Sequence, residues 1–328
     1  MRAGYFTEYG AARDVLRVGD VPDPSPGPGE VLVKLMFSGV NPSDVNRRSG
    51  LRGREGFPLV IPHNDGAGII LAVGPGVAAA RAGERVWVYN GQRGGRAFGT
   101  CAEYMAVAEA QAVKLPDAEA LEVGACLGVP AMTAWYSLFA DGDVAGRDVL
   151  VTGGAGAVGH YAIQMARLAG ARTVITTVSG AAKAAHAETA GPTHILNYRT
   201  QDVAVEVMRI TEGRGVTRIA EVDLGGNMEA TLKMAGRKCV IGAYASRGGQ
   251  QPTLPFYDML SRDMVVRTVF CSFMDATLRA EGTSRLTQWM AAGEITHSIA
   301  RILPLEEIAT AHELVERGEV IGKVMLRV

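Results

Sequence analysis

The stretch Val149 to Gly170, VLVTGGAGAVGHYAIQMARLAG, limits what this chain can fold into more than any other. Val149, Leu150 and Val151 form an apolar run without polar alternation, the pattern of a parallel strand covered on both faces. Ile163, Ala166, Leu168 and Ala169 then recur at spacings that can pack one face of a helix back onto that strand. Between the two, Gly154, Gly156 and Gly159 fit G-x-G-x-x-G, with Ala157 and Val158 inside the motif. One glycine permits the sharp turn, a second lets the backbone approach a pyrophosphate, and a third lets helix and strand pack closely. The first helical amides then face the anion. A glycine-rich turn of purely structural use is the alternative, and the strand and helix on either side favour dinucleotide binding over it.

The whole chain suits an α/β protein long enough for two domains, with 328 residues, 48% apolar, 41 glycines and only 6% aromatics. A net charge of −1 and a pI near 6.6 leave no overall field that would draw in nucleic acid or an anionic membrane. The first residues, MRAGYFTEYGAARD, carry charge and glycine too early for a signal peptide, and no apolar run reaches membrane-spanning length. A cytoplasmic location is expected by default. Cys101, Cys126, Cys239 and Cys271 are scattered without a C-x-x-C pair and read as small core residues of a reducing compartment.

Taken in order, residues 1 to 40 read as β structure: Val15 to Val18, the corner PDPSPGPGE, then VLVKLMFSGV with alternating inward positions. The segment from Asn41 is polar and glycine-rich until it returns to strand at Gly68 to Val73, and reads as a long loop of the kind that builds a site. From Asp117 the pattern becomes alanine-rich and helical, with EVGACLGVPAMTAWYSLF predicted as two helices broken at Gly128-Val129-Pro130. Strand and helix patterns then alternate as β-α-β, which predicts a doubly wound parallel sheet. A last helix, striped by Leu305, Ile308, His312 and Val315, and the strand KVMLRV are expected to return to the first unit. The expected division is 1–121 and 266–328 for a split, mostly-β domain, and 122–265 for the dinucleotide-binding domain.

PGPGEVLVK, SGVNPSDV, DGAG followed by VGPGV, GERVW, AEY, the glycine motif with QMARLAG, LNYRTQD and the closing GKVMLRV form a set spanning essentially the full length. Together they resemble the medium-chain dehydrogenase/reductase superfamily, and within it the zinc-free quinone oxidoreductases related to zeta-crystallin. The resemblance implies a GroES-like, mostly-β catalytic domain plus a Rossmann doubly wound parallel-sheet domain, with the active site in the cleft between. Zinc members of the superfamily place a cysteine where this chain has Asn41, a histidine where it has Asn64, and a third ligand near Val129. A tetrahedral catalytic zinc needs imidazole, thiolate or carboxylate ligands, so no metal is expected here. His63, beside Asn64, has no cysteine partner and reads as a loop or core residue.

The end of the second Rossmann strand indicates which dinucleotide is expected. An NAD site usually has an acid about 20 residues after the last glycine, and a cation there favours a 2′-phosphate. No acid lies between Val174 and Lys183. Ser179, Lys183 and Tyr198 match positions that bind the adenosine 2′-phosphate in the quinone reductases, so NADPH is the expected cofactor. The resemblance further implies cofactor contacts at Asn41, Thr133, Gly242-Ala243-Tyr244, Phe270, Ser272 and Lys323.

For the reaction, the resemblance implies hydride transfer from NADPH to a small quinone, with hydrogen-bond donors replacing a metal. Two pocket tyrosines of related quinone reductases are here Asn46 and Arg52. Asn41, Asn46 and Arg52 are therefore the candidate catalytic residues, with Arg47 or Arg48 as possible helpers and a solvent-facing arginine loop as the alternative. Reduction of the double bond of an enone or 2-alkenal stays open as a second activity. A zeta-crystallin-like structural or RNA-binding protein stays open as a different class, although no basic stretch with interleaved aromatics supports nucleic acid as a partner. A homodimer through the Rossmann sheet is expected by analogy, with Met264 to Val269 as its edge strand.

Overall fold

The computed structural model describes residues 1–51, 53, 56–92, 95–318 and 320–328. They form two compact units, one of Met1–Val129, Thr283–Gly293 and His297–Val328, the other of Pro130–Gly282 with Glu294–Thr296. The strands in chain order are β1 Arg2–Tyr5, β2 Arg17–Asp20, β3 Glu30–Val40, β4 Asp65–Val73, β5 Arg85–Val88, β6 Tyr104–Ala108 and β7 Ala112–Lys114. They continue with β8 Asp148–Val151, β9 Thr173–Val178, β10 His194–Asn197, β11 Val216–Glu221, β12 Ala235–Ala243 and β13 Val265–Thr268, and the chain ends with β14 Ile299–Pro304 and β15 Lys323–Arg327.

In the first unit the long strand β3 is the hub. It pairs antiparallel with β4, with β6 and with β15, giving a sheet of order β14-β15-β3-β4-β5-β7 with β6 also on β3. Val31, Val33 and Leu35 alternate inward along β3 and are buried with Ile70, Val86, Val88, Met105 and Val107. Each such side chain is worth about 1.5–3 kcal/mol of burial. The period of two keeps the register in place, because a slip of one residue would turn the whole apolar row outward. That register sets Gly39 beside Asp65 on β4 and beside Met325 on β15.

The second unit is a six-stranded, all-parallel sheet of order β10-β9-β8-β11-β12-β13. Helices Ala157–Leu168, Ala181–Glu188, Val203–Ile210 and Leu224–Met234 follow successive strands, as a doubly wound fold requires. Leu150, Ile175, Ile219 and Ile241, one from each central strand, are fully buried in its core.

Three local expectations need correction. Residues 12–15 are helical rather than part of a strand, with β2 starting at Arg17. The segment after Asn41 is not all loop, because Pro42–Ser49 is a helix. Pro42 takes the first helical position, where its missing N–H costs nothing, and the Asp44 carboxylate accepts the Asn41 N–H at 2.8 Å. Gly124–Phe139 is one helix with Pro130 inside it, not two. The carboxylate of Asp65 accepts the N–H of Val129 at 2.7 Å, so the opened ladder beside Pro130 has a partner and the helix continues.

Candidate active site

Each unit holds its own group of polar residues. In the second unit these lie along the carboxyl edge of the parallel sheet, where open α/β sheets bind ligands. Gly153, at φ 69°, turns the chain after β8, and Gly156 is the residue before the helix Ala157–Leu168. No side chain caps that helix, which leaves its first amides for an anion. A Cβ on Gly159 would lie 2.4 Å from the Gly153 carbonyl oxygen, and one on Gly154 would lie 2.0 Å from Thr176 Oγ1. A Cβ on Gly156 would meet nothing nearer than 3.3 Å. The turn is therefore closed where helix and sheet pack and open where a phosphate would approach.

Hydrogen bonds tie the neighbouring strand ends to this turn. Gly153 N–H donates to Thr177 Oγ1 at 3.1 Å and Gly154 N–H to the Thr177 carbonyl at 3.1 Å. Tyr198 N–H donates to the Val178 carbonyl, also at 3.1 Å. Ser179 thus follows β9 directly, Lys183 stands in the first turn of the next helix, and Tyr198 follows β10 with its ring exposed. These residues could hold a dinucleotide with a 2′-phosphate: amides for the pyrophosphate, a hydroxyl and an ammonium for the extra phosphate, and no acid at the end of β9.

On the other side of the turn, Tyr244 N–H donates to the Glu221 carbonyl and Val269 N–H to the Ala243 carbonyl. Gly242, Ala243, Tyr244 and the segment with Phe270 and Ser272 are thereby joined at the ends of β12 and β13. Gly242 must lack a side chain, since a Cβ would lie 2.5 Å from the Ser137 carbonyl. Thr133, one turn before Ser137, is buried on the same helix, and its carbonyl accepts the Ser137 hydroxyl.

In the first unit, a buried network centres on Asp65. Lys323 Nζ donates to Asn41 Oδ1 at 2.5 Å and to Asp65 Oδ2 at 2.7 Å, and Asn41 Nδ2 donates to the same Asp65 oxygen at 2.8 Å. Gly39 and Gly128 make room for it. A Cβ on Gly39 would lie 2.7 Å from Lys323 Cε, and one on Gly128 would lie 2.2 Å from Asp65 Oδ1. Asn64 Nδ2 donates to Asp44 Oδ1 at 2.9 Å. Burial, then the charge of Asp65, pushes the Asp44 carboxyl up to about 6, with Lys323 opposing. Neither Asp44 nor Asp65 stood out as a candidate in the sequence, although the pattern Asn41-Pro42-Ser43-Asp44 carried a capping signal.

His63 is fully buried with φ 79°, and its Nδ1 meets Ser38 Oγ at 2.8 Å while its Nε2 meets His312 Nε2 at 2.9 Å. Burial holds both rings below the ordinary histidine value, His312 at about 3, so the pair is neutral and structural. Asn46 is half-buried on the helix Pro42–Ser49. Arg52 lies outside the described residues. Arg48 is fully buried and bound to the Gly10 carbonyl and Glu316, and Arg47 donates to the Arg96 carbonyl at 3.0 Å. Among the described residues no group of three or more His, Cys, Asp or Glu side chains could hold a metal ion.

Comparison with known proteins places this geometry in a family. The alcohol dehydrogenase GroES-like domain profile matches residues 27–117, and the zinc-binding dehydrogenase profile matches residues 157–288. A quinone oxidoreductase of Rattus norvegicus is 30% identical over 332 residues, covering 99% of this chain and 97% of that protein. The chain belongs to the quinone oxidoreductase family of medium-chain dehydrogenases/reductases. Another relative, a 2-haloacrylate reductase of a Burkholderia species, is 31% identical, with 92% of each chain covered. A solved mycobacterial structure complexed with NADPH superimposes with a TM-score of 0.87 at 29% identity, with both chains covered in full. For a quinone oxidoreductase-family chain, the GroES-like domain and the Rossmann-type parallel sheet are the expected parts, and both are present.

Proposed function

We propose that this chain is an NADPH-dependent oxidoreductase that reduces a small quinone without a catalytic zinc. The reading rests on the carboxyl edge of the parallel sheet, where an uncapped helix N-terminus follows β8, Ser179 and Lys183 follow β9, and Tyr198 follows β10, with no acid at the end of β9. The mycobacterial relative complexed with NADPH supports the same cofactor.

Bound NADPH supplies the hydride. Gly154, Gly156, Ala157, Val158 and Gly159 present amides to the pyrophosphate, and Ser179, Lys183 and Tyr198 hold the adenosine 2′-phosphate. Thr133, Gly242, Ala243, Tyr244, Phe270 and Ser272 bound the nicotinamide end. Asn41 and Lys323 orient groups at the reacting centre, with Asn46 and Arg52 binding the acceptor's oxygen. The donor set at the positions of the family's zinc ligands supports a metal-free site. Asn41 and Asn64 spend their amides on Asp65 and Asp44, and the Lys323 ammonium supplies the positive charge of that network. The Lys323 ammonium uses two of its three N–H groups in that network, and the third can stabilise an oxygen that becomes negative as hydride arrives.

Reduction of an activated C=C bond is the second reading, favoured by the resemblance to a 2-haloacrylate reductase. A homodimer is proposed through β13, the edge strand of the parallel sheet, with exposed Phe256, Tyr257, Leu260 and Val265 near it. A cytoplasmic location is part of the same reading. Steady-state assay of NADPH and NADH oxidation against quinones, enals, enones and 2-haloacrylate tests it. Rapid NADPH oxidation with quinones alone is expected; turnover confined to the C=C acceptors would replace the quinone reading with the second.

A further inference from the structure

The parallel sheet reverses its strand order between β8 and β11, and the crevice outside their carboxyl ends is where such sheets receive ligands. Two side chains bridge that crevice. Thr152, the first residue after β8, places its hydroxyl 3.0 Å from Oε1 of Glu221, the last residue of β11. The same Oε1 accepts the Asp223 N–H at 2.6 Å and the Asn227 Nδ2–H at 2.8 Å. Glu221 is fully buried, and its other oxygen, Oε2, has no hydrogen-bond partner among the described residues. Buried polar atoms in folded proteins are paired with few exceptions, and a lone carboxylate oxygen at a ligand crevice calls for a donor.

The topology says which part of a dinucleotide could supply it. Ser179, Lys183 and Tyr198 lie at the ends of β9 and β10, on one side of β8, and the glycine turn follows β8 itself. With the 2′-phosphate on the β9 side and the pyrophosphate on the turn, the remaining nucleoside extends toward β11. Phosphates carry no hydrogen-bond donors at neutral pH, whereas the nicotinamide riboside carries ribose hydroxyls and a carboxamide NH₂. We propose that Glu221 is a cofactor-binding residue whose Oε2 accepts a hydrogen bond from the nicotinamide-riboside half of the dinucleotide. This rests on the NADPH reading above. Burial raises the Glu221 carboxyl above the ordinary glutamate range, consistent with a group that lacks its full set of donors until ligand binds.

The substitution Glu221→Gln separates a ligand contact from a structural one. All three protein donors converge on Oε1, so the glutamine oxygen must stay there and its NH₂ must replace Oε2, exchanging an acceptor for a donor. Calorimetric titrations compare wild type and E221Q with NADPH and with 2′,5′-ADP, which lacks the nicotinamide riboside. The expected result is an NADPH Kd raised tenfold or more with an unchanged Kd for 2′,5′-ADP. An unchanged NADPH Kd, or equal weakening of both ligands, overturns the proposal. Wild-type protein that binds 2′,5′-ADP but not NADPH overturns it too, whereas wild type that binds neither removes the cofactor reading on which it rests. Should E221Q fail to fold, wild type is titrated with NADPH analogues lacking the nicotinamide-ribose hydroxyls or the carboxamide. A tenfold loss for at least one is expected, and no loss for any overturns the proposal.

Discussion

Lys323 Nζ lies 2.7 Å from Asp65 Oδ2, with the lysine side chain 3% exposed and the aspartate fully buried. The two residues start β15 and β4, which flank β3, and Gly39 between them has no side chain to keep them apart. A salt bridge in such surroundings is costly to break from one side. Asp65→Asn would leave a buried ammonium without its counter-charge and should cost about 3–5 kcal/mol. Lys323→Met leaves Asp65 with donors from Asn41 and Val129, so it should cost less. Chemical denaturation of both single variants and the double variant measures this, and the double variant should lose less than the sum of the singles.

Asp44 makes stability fall as pH rises. Its folded carboxyl keeps a proton to about pH 6, against an ordinary value of 3.8 in the unfolded chain. The folded state therefore binds more protons between those values, and stability declines across that window by roughly 3 kcal/mol in total. Asp44→Asn should remove this decline while lowering stability overall, because Asn has one acceptor oxygen for the donors from Asn41 and Asn64. Denaturation curves of wild type and variant from pH 4 to 7 give the difference directly.

Gly159 has no space for a side chain, with the Gly153 carbonyl oxygen 2.4 Å from where its Cβ would stand. The nearest atoms are all backbone of Gly153 and Gly154, so nothing flexible can yield. Gly159→Val should lower stability by about 1–3 kcal/mol and weaken NADPH binding by displacing the helix N-terminus. Thermal melts with and without NADPH would show a lower Tm and a smaller ligand-induced rise.

An acid at the end of β9 should change the preferred cofactor. Ser179→Asp offers a carboxylate to ribose hydroxyls and repels a 2′-phosphate, so the NADPH Kd should rise about tenfold or more while that of NADH falls. Fluorescence titration of both nucleotides reads the outcome.

How much of this was legible beforehand depends on the range of the interactions. The glycine motif is local: its strand, turn and helix occupy one continuous segment, so residue type and spacing were enough to identify it. The parallel sheet followed from repeated strand and helix periods. The Asp65 network was not legible, because Asn41, Asp65, Val129 and Lys323 meet only through the β3, β4 and β15 register and the close approach of the helix that carries Gly128 to Gly39 and Asp65. The helix break expected at Pro130 failed for the same reason, since the carboxylate that accepts the Val129 N–H comes from 64 positions away. The helix after Asn41 could have been found, as Pro42 and Asp44 stand at a helix start, but the surrounding glycines and arginines gave the segment the composition of a loop.

On the proposed function, hydride comes from NADPH, which the residues at the end of β9 select over NADH. The most direct test is the ratio of kcat/KM for NADPH to that for NADH, measured with 1,4-benzoquinone as acceptor. A ratio well above ten that collapses in Ser179→Asp is expected; equal use of the two nucleotides by wild type, or no oxidation of either, would overturn the proposed function.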